Sequence, residues 1–177
     1  EGIRNLLGVD SAESIPSELI KSVKMGTTTA TNALLERKGD ATLLVTTKGF
    51  KDALRIGYQN RPRLFDKHIQ LPEIIYSQVI EVEERFSANG EVILPLNEAK
   101  VRQQLKSIFD EGLIKSIAII FMHAYRFTEH EKAVAKIACE IGFKQISVSH
   151  KLSPLIKFIS RGDTTVVDAY VTPTLRR

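Results

Sequence analysis

The chain has 177 residues, 43% of them apolar and 26% charged, with 25 Lys and Arg against 21 Asp and Glu and a net charge of +4. That length suits one domain and buries roughly 70% of the unfolded surface. Basic residues scattered among acids exclude a nucleic-acid-binding tract, and the longest apolar runs are too short for a membrane-spanning helix.

Residues 3–7 and 17–21 read as helices on either side of Pro16, and residues 23–25 as a short strand. Next comes Gly26-Thr27-Thr28-Thr29-Ala30-Thr31-Asn32, a run of small polar residues where a strand hands over to a helix. Small side chains let the backbone approach a ligand, and a helix start offers unpaired N–H groups to an anion. Gly26, Thr27, Thr28, Thr31 and Asn32 are therefore candidates for binding phosphate or the polar groups of a substrate. The alternative is plain capping, which threonine also performs well. No lysine follows a second glycine, so this is not a P-loop. Helix continues over 32–37, with Gly39 as its stop.

Residues 41–47 are an apolar, β-branched strand of the kind buried on both faces. A short helix over 49–55 ends near Gly57, and 59–72, with two prolines, reads as a loop. Gln59, Arg61 and Arg63 lie in it. Arginine suits two-pronged binding of a carboxylate, and a solvated charged loop is the alternative. Residues 78–86 form a strand with one wet face, 87–90 a turn and 91–94 a return strand, together a hairpin.

Asn97 caps a helix over 98–111 with Val101, Leu105 and Ile108 on one face, and Gly112 ends it. Residues 116–123 are a central strand. His123 stands at its carboxyl end, where α/β proteins collect ligands, or is a satisfied interior histidine. Thr128 and Glu131 fit a capping box opening a helix that stops at Gly142. Cys139 on that helix reads as an inert core thiol, unable to form an internal disulfide. A buried strand follows over 145–149, and a last helix opens over 164–170.

Arg161-Gly162-Asp163-Thr164-Thr165 with Asp168 is the third candidate site. Arg161 would hold phosphate or carboxylate. Asp168 would orient water or a metal-bound oxygen, with Thr164 as a second catalytic candidate. The alternative is that Asp163 or Thr164 simply caps the helix. Four histidines and one cysteine show no metal-ligand spacing, and Val134 stands where an HExxH motif needs its second histidine. The alternation of elements predicts an α/β domain over 1–177: a mainly parallel sheet with flanking helices plus an antiparallel hairpin.

Four stretches occur in one order along the chain: MGTTTATNALLERKG (25–39), LLVTTKGFKDALRIGYQNRPRLFD (43–66), EVEERF (81–86) and RGDTTVVDAYVTPTLRR (161–177). In these the chain resembles the hydantoinase A/5-oxoprolinase family. Met25, where hydantoinase relatives tend to carry His, and the DAYVTP ending point to the oxoprolinase branch and its N-terminal region. The resemblance implies one lobe of an actin-like (ribonuclease H-like) ATPase, with the following hydantoinase A region starting near 160–177. It implies a parent enzyme that uses ATP and Mg²⁺ to open a small cyclic amide, in the cytoplasm and in glutathione metabolism. A lactam is a stable amide, so phosphorylating its oxygen would turn that oxygen into a leaving group. The implied partners are the substrate, the remaining domains of a longer chain and a second copy of that chain; no nucleic acid or membrane is implied. Both ends of the sequence look cut from such a chain, and this portion alone is expected to bind neither cofactor tightly. A hydantoinase-type hydrolase of another cyclic amide, or a non-catalytic structural lobe, are the alternatives.

Overall fold

The computed structural model describes residues 2–10, 14–15, 18, 20–22, 26–59, 63, 65, 67–69, 71 and 73–176. Its elements run α1 (Gly2–Leu7), α2 (Thr29–Leu35), β1 (Thr42–Thr47), α3 (Ala53–Ile56), β2 (Gln78–Val82), β3 (Arg85–Phe86) and β4 (Val92–Leu94). Then follow α4 (Glu98–Asp110), β5 (Ser116–Ile120), α5 (Glu129–Ile141), β6 (Gln145–Val148), α6 (Ser149–Leu152) and α7 (Phe158–Leu175). Four parallel strands form the main sheet in the order β2-β1-β5-β6, and β3 pairs antiparallel with β4 in a small second sheet.

Alternation along the central strands builds a core on each face. Leu43, Val45, Ile117 and Ile119 point to one side, against Val101 and Leu105 of α4 and Val134, Ile137 and Ala138 of α5. Leu44, Ala118 and Ile120 point to the other, against Val166 and Ala169 of α7. Every residue of β1 and β5 is buried, which is why both read as continuous apolar runs rather than half-wet strands.

The ends of the helices separate what local chemistry decides from what packing decides. Asn97 caps α4 as its sequence predicts, its Oδ1 accepting from Lys100 N at 3.0 Å. Gly142 ends α5 in the left-handed region, at φ 115°. The expected capping box at Thr128 and Glu131 does not form: Thr128 makes no side-chain cap bond, and the Glu131 carboxylate turns into the protein. The last helix begins at Phe158, so Asp163 and Thr164 lie inside it and cap nothing. Gly39 is not the left-handed stop of α2. Arg37 takes that conformation at φ 56°, and a Cβ on Gly39 would meet the Tyr170 ring at 2.2 Å. Glycine stands there so that the chain can pass beneath α7. Cys139, expected in the core, is exposed on α5. The expected strand over 23–25 and the loop residue Arg61 lie outside the described residues. No described helix is long and apolar enough to cross a membrane.

Candidate functional site at the carboxyl edge of the sheet

In this strand order the chain runs from β1 to β2 on one side and returns with β5 on the other. The crevice beyond the carboxyl ends of β1 and β5 is therefore the switch point at which open parallel sheets bind ligands. A buried polar web lies there. The Thr47 hydroxyl accepts from Met122 N at 3.0 Å and donates to Glu84, whose other oxygen lies 2.7 Å from His130 Nδ1. The His130 ring packs 4.3 Å from that of Phe86.

Next to it, Glu131 joins the ends of β5 and β6. Its carboxylate accepts from Phe121 N at 2.9 Å, Ser149 Oγ at 2.5 Å and His150 N at 3.1 Å. A carboxylate only accepts, so the 2.7 Å contact to His150 Nδ1 puts that ring proton on Nδ1. His150 Nε2 is buried with no partner among the described residues.

Arg161 is wholly buried in this web. It donates to Leu155 O at 3.1 Å, Phe121 O at 2.9 Å and the Ser149 hydroxyl, and lies 3.6 Å from Glu131. Burial pulls its pKa below the usual arginine value, with Glu131 opposing the shift. All three guanidinium nitrogens are engaged internally. The expectation of a substrate or phosphate clamp at Arg161 meets a guanidinium turned into the protein, because α7 starts early enough to carry it there.

The remaining candidates are dispersed. Asp168 is half-buried and accepts from Ser147 Oγ at 2.7 Å, Thr172 Oγ1 at 3.0 Å and Gln145 Nε2 at 3.4 Å, which ties α7 to the edge strand. It borders a cleft of about 390 Å³ with Lys132, Lys136, His150 and Lys151. Thr164 is exposed and returns its hydroxyl to Ser160 O at 2.9 Å. Gly26, Thr27, Thr28, Thr31 and Asn32 are exposed. The threonine hydroxyls there bond locally: Thr27 Oγ1 lies 2.6 Å from Thr29 Oγ1 and accepts from Thr29 N at 3.2 Å. Gln59 is exposed in the left-handed region at φ 58°. At the crevice itself His123, half-buried, is left-handed at φ 62°, and the amides of Gly49 and Lys51 are taken by Glu81 Oε1 at 2.7 and 3.3 Å.

A second concavity, a groove of about 530 Å³, lies between α2, α3, α7, Leu71 and residues 73–76. Leu54, Ile75 and Val166 supply apolar wall, and Arg55, Tyr76 and Asp163 supply polar groups. Gly162 lets α3 approach: a Cβ there would meet Leu54 Cδ2 at 2.5 Å.

Residues 1–142 match the hydantoinase/oxoprolinase N-terminal region. The chain belongs to the hydantoinase/oxoprolinase family. It is 44% identical to a 5-oxoprolinase of Dictyostelium discoideum and 39% identical to 5-oxoprolinase 1 of Arabidopsis thaliana, each over 99% of the chain and 16% of that protein. It therefore spans 16% of the length of these relatives. Among solved structures it resembles the ATP-dependent caprolactamase of Pseudomonas jessenii, with TM-score 0.75 and 28% identity over 99% of this chain and 26% of that one. The family's mainly parallel α/β architecture is the one the sequence predicts. Of the residues that organise the crevice, Glu84 is flagged by no motif, Glu131 reads in the sequence as half of a capping box, and His130 and His150 read as histidines without metal-ligand spacing. The HExxH spacing that flags metal sites is absent, and their partners lie 10 to 46 residues away.

Proposed function

We propose that this chain is part of an ATP-dependent 5-oxoprolinase, which opens 5-oxo-L-proline to L-glutamate while hydrolysing ATP. The supporting observation is the 44% identity to a 5-oxoprolinase over 99% of the chain, against 28% to the caprolactamase. The chain's own residues supply scaffold and part of a cleft: Glu131 and Arg161 hold the ends of β5 and β6 in register beside the crevice. ATP and Mg²⁺ belong to the parent reaction. Among the described residues no three metal-ligating side chains come together, and the Gly26–Asn32 run lacks a P-loop lysine. These residues do not fit a nucleotide–metal site by themselves, and no step of nucleotide chemistry is assigned to them.

In this reading the parent protein is a cytoplasmic homo-oligomer, and the rest of its chain completes the active site. The caprolactamase likeness favours, as the second reading, a hydrolase of a different cyclic amide. The full-length protein, incubated with ATP and Mg²⁺ and with 5-oxoproline, hydantoin or caprolactam in turn, separates them. Glutamate and ADP formed together from 5-oxoproline in preference to the other two substrates is the expected result. Preference for hydantoin or caprolactam establishes the second reading.

A further inference from the structure

We propose that the groove between α3 and α7 binds a small carboxylated cyclic amide, with Tyr76 and Asp163 taking its amide group and Arg55 its carboxylate. The proposal rests on the oxoprolinase reading above and names a binding site for that substrate class.

Tyr76 carries the argument. It is only 7% exposed, yet its hydroxyl has no hydrogen-bond partner among the described residues and is not sealed from solvent. A buried tyrosine normally directs its O–H to a protein partner. This one lines the groove. Asp163 borders the same space with no ion-pair or hydrogen-bond partner among the described residues. It keeps solvent contact, but desolvation against the groove raises its pKa above the usual aspartate value. Arg55, on α3, lines the same groove and also has no ion-pair partner among the described residues. All three groups share one electrostatic neighbourhood. Burial raises the Tyr76 pKa first, Asp52 and Asp163 raise it further, and Arg55 lowers it.

A phenol, a carboxyl group and a guanidinium around apolar walls complement one kind of molecule. Its carbonyl oxygen accepts from Tyr76, its N–H donates to Asp163 and its carboxylate pairs with Arg55, while ring methylenes lie on Leu54, Ile75 and Val166. The volume of about 530 Å³ falls within the range of small-molecule sites, roughly 300–1,000 Å³. The pair Arg37–Glu73, 3.9 Å apart and exposed, borders the rim and contributes little.

The test uses the full-length protein carrying Tyr76→Phe, Asp163→Asn or Arg55→Met. Calorimetry without ATP measures binding of 5-oxo-L-proline and of 2-pyrrolidinone, the same ring without the carboxylate, and melting temperature is followed in parallel. Tyr76→Phe and Asp163→Asn are expected to weaken both ligands about 2- to 10-fold, the size of one lost hydrogen bond. Arg55→Met is expected to weaken 5-oxoproline about 10-fold or more and leave 2-pyrrolidinone unchanged, a selectivity that general damage does not produce. Three folded variants that bind both ligands as the wild type does overturn the groove while the oxoprolinase reading stands. A wild-type protein that neither binds nor turns over 5-oxoproline overturns both.

Discussion

Arg161 and Asp163 lie two residues apart on α7 and meet opposite environments. Arg161 points inward and is held by Glu131, Ser149 and two carbonyl oxygens. Removing one partner of a buried pair leaves the other charge uncompensated, so Arg161→Met is expected to cost about 3–5 kcal/mol in urea unfolding. The double variant Arg161→Met, Glu131→Leu should recover part of that loss, because no buried charge is then orphaned. A single variant within 1 kcal/mol of wild type, roughly the worth of an ordinary hydrogen bond, contradicts the buried-web assignment. Asp163 points to the groove. Its folded-state pKa lies above 3.8, so the folded chain holds the proton more tightly than the unfolded chain. Its contribution to stability therefore falls as pH rises from 3.8 through that raised value, and the charged form is disfavoured at neutral pH. Asp163→Asn is expected to raise the melting temperature at pH 7 and to flatten its decline over that window. A lower melting temperature at pH 7 rules this out. The sequence alone reads Arg161, Asp163 and Thr164 as one ligand-facing cluster or cap, because cap-forming residues in a row mimic a helix start. Helical geometry instead sends neighbouring residues to different faces, and packing decides which face is buried.

At the scale of the element, what was legible depended on whether the chemistry is local. Asn97 and its bond to Lys100 N are three residues apart, so the cap of α4 is readable from the sequence. Thr128 and Glu131 have equally good cap chemistry, but the ends of β5 and β6 claim the Glu131 carboxylate from 10 and 19 residues away. The two helices provide a paired test. Asn97→Ala is expected to cost about 1 kcal/mol, within the roughly 0.5–2 kcal/mol of a lost cap. Thr128→Ala should cost at most a few tenths, since no cap bond is lost. Urea midpoints at constant m-value measure both. Equal losses at the two sites contradict the distinction. The parallel strands were legible for the same reason that Asn97 was. Being buried on both faces leaves a continuous apolar run at Leu43–Val45 and Ile117–Ile120, visible without knowing the partner. The polar web was not legible, because Glu84 and His130 meet only once β1, β3 and α5 have packed.

At the scale of the whole molecule, the doubly covered sheet brings the ends of β1 and β5 to a switch point and then fills much of that edge with its own side chains. Glu81 takes the amides of Gly49 and Lys51, Thr47 takes the amide of Met122, and Glu131 takes those of Phe121 and His150. These five backbone donors at the edge are thus satisfied within the chain. The groove beside α7 keeps polar groups without partners among the described residues, and in the proposed reading it holds a small substrate while the rest of the parent chain completes the active site. It follows that the chain by itself should lack coupled turnover even if it binds the substrate. It spans 16% of its oxoprolinase relatives, and no described trio of metal-ligating side chains converges. Incubated with ATP, Mg²⁺ and 5-oxoproline, the isolated chain is expected to form no glutamate above the blank, with circular dichroism confirming that it is folded. The full-length protein under the same conditions should release glutamate and ADP together. Glutamate production by the folded isolated chain contradicts this division of labour, and would place the reacting groups within these 177 residues.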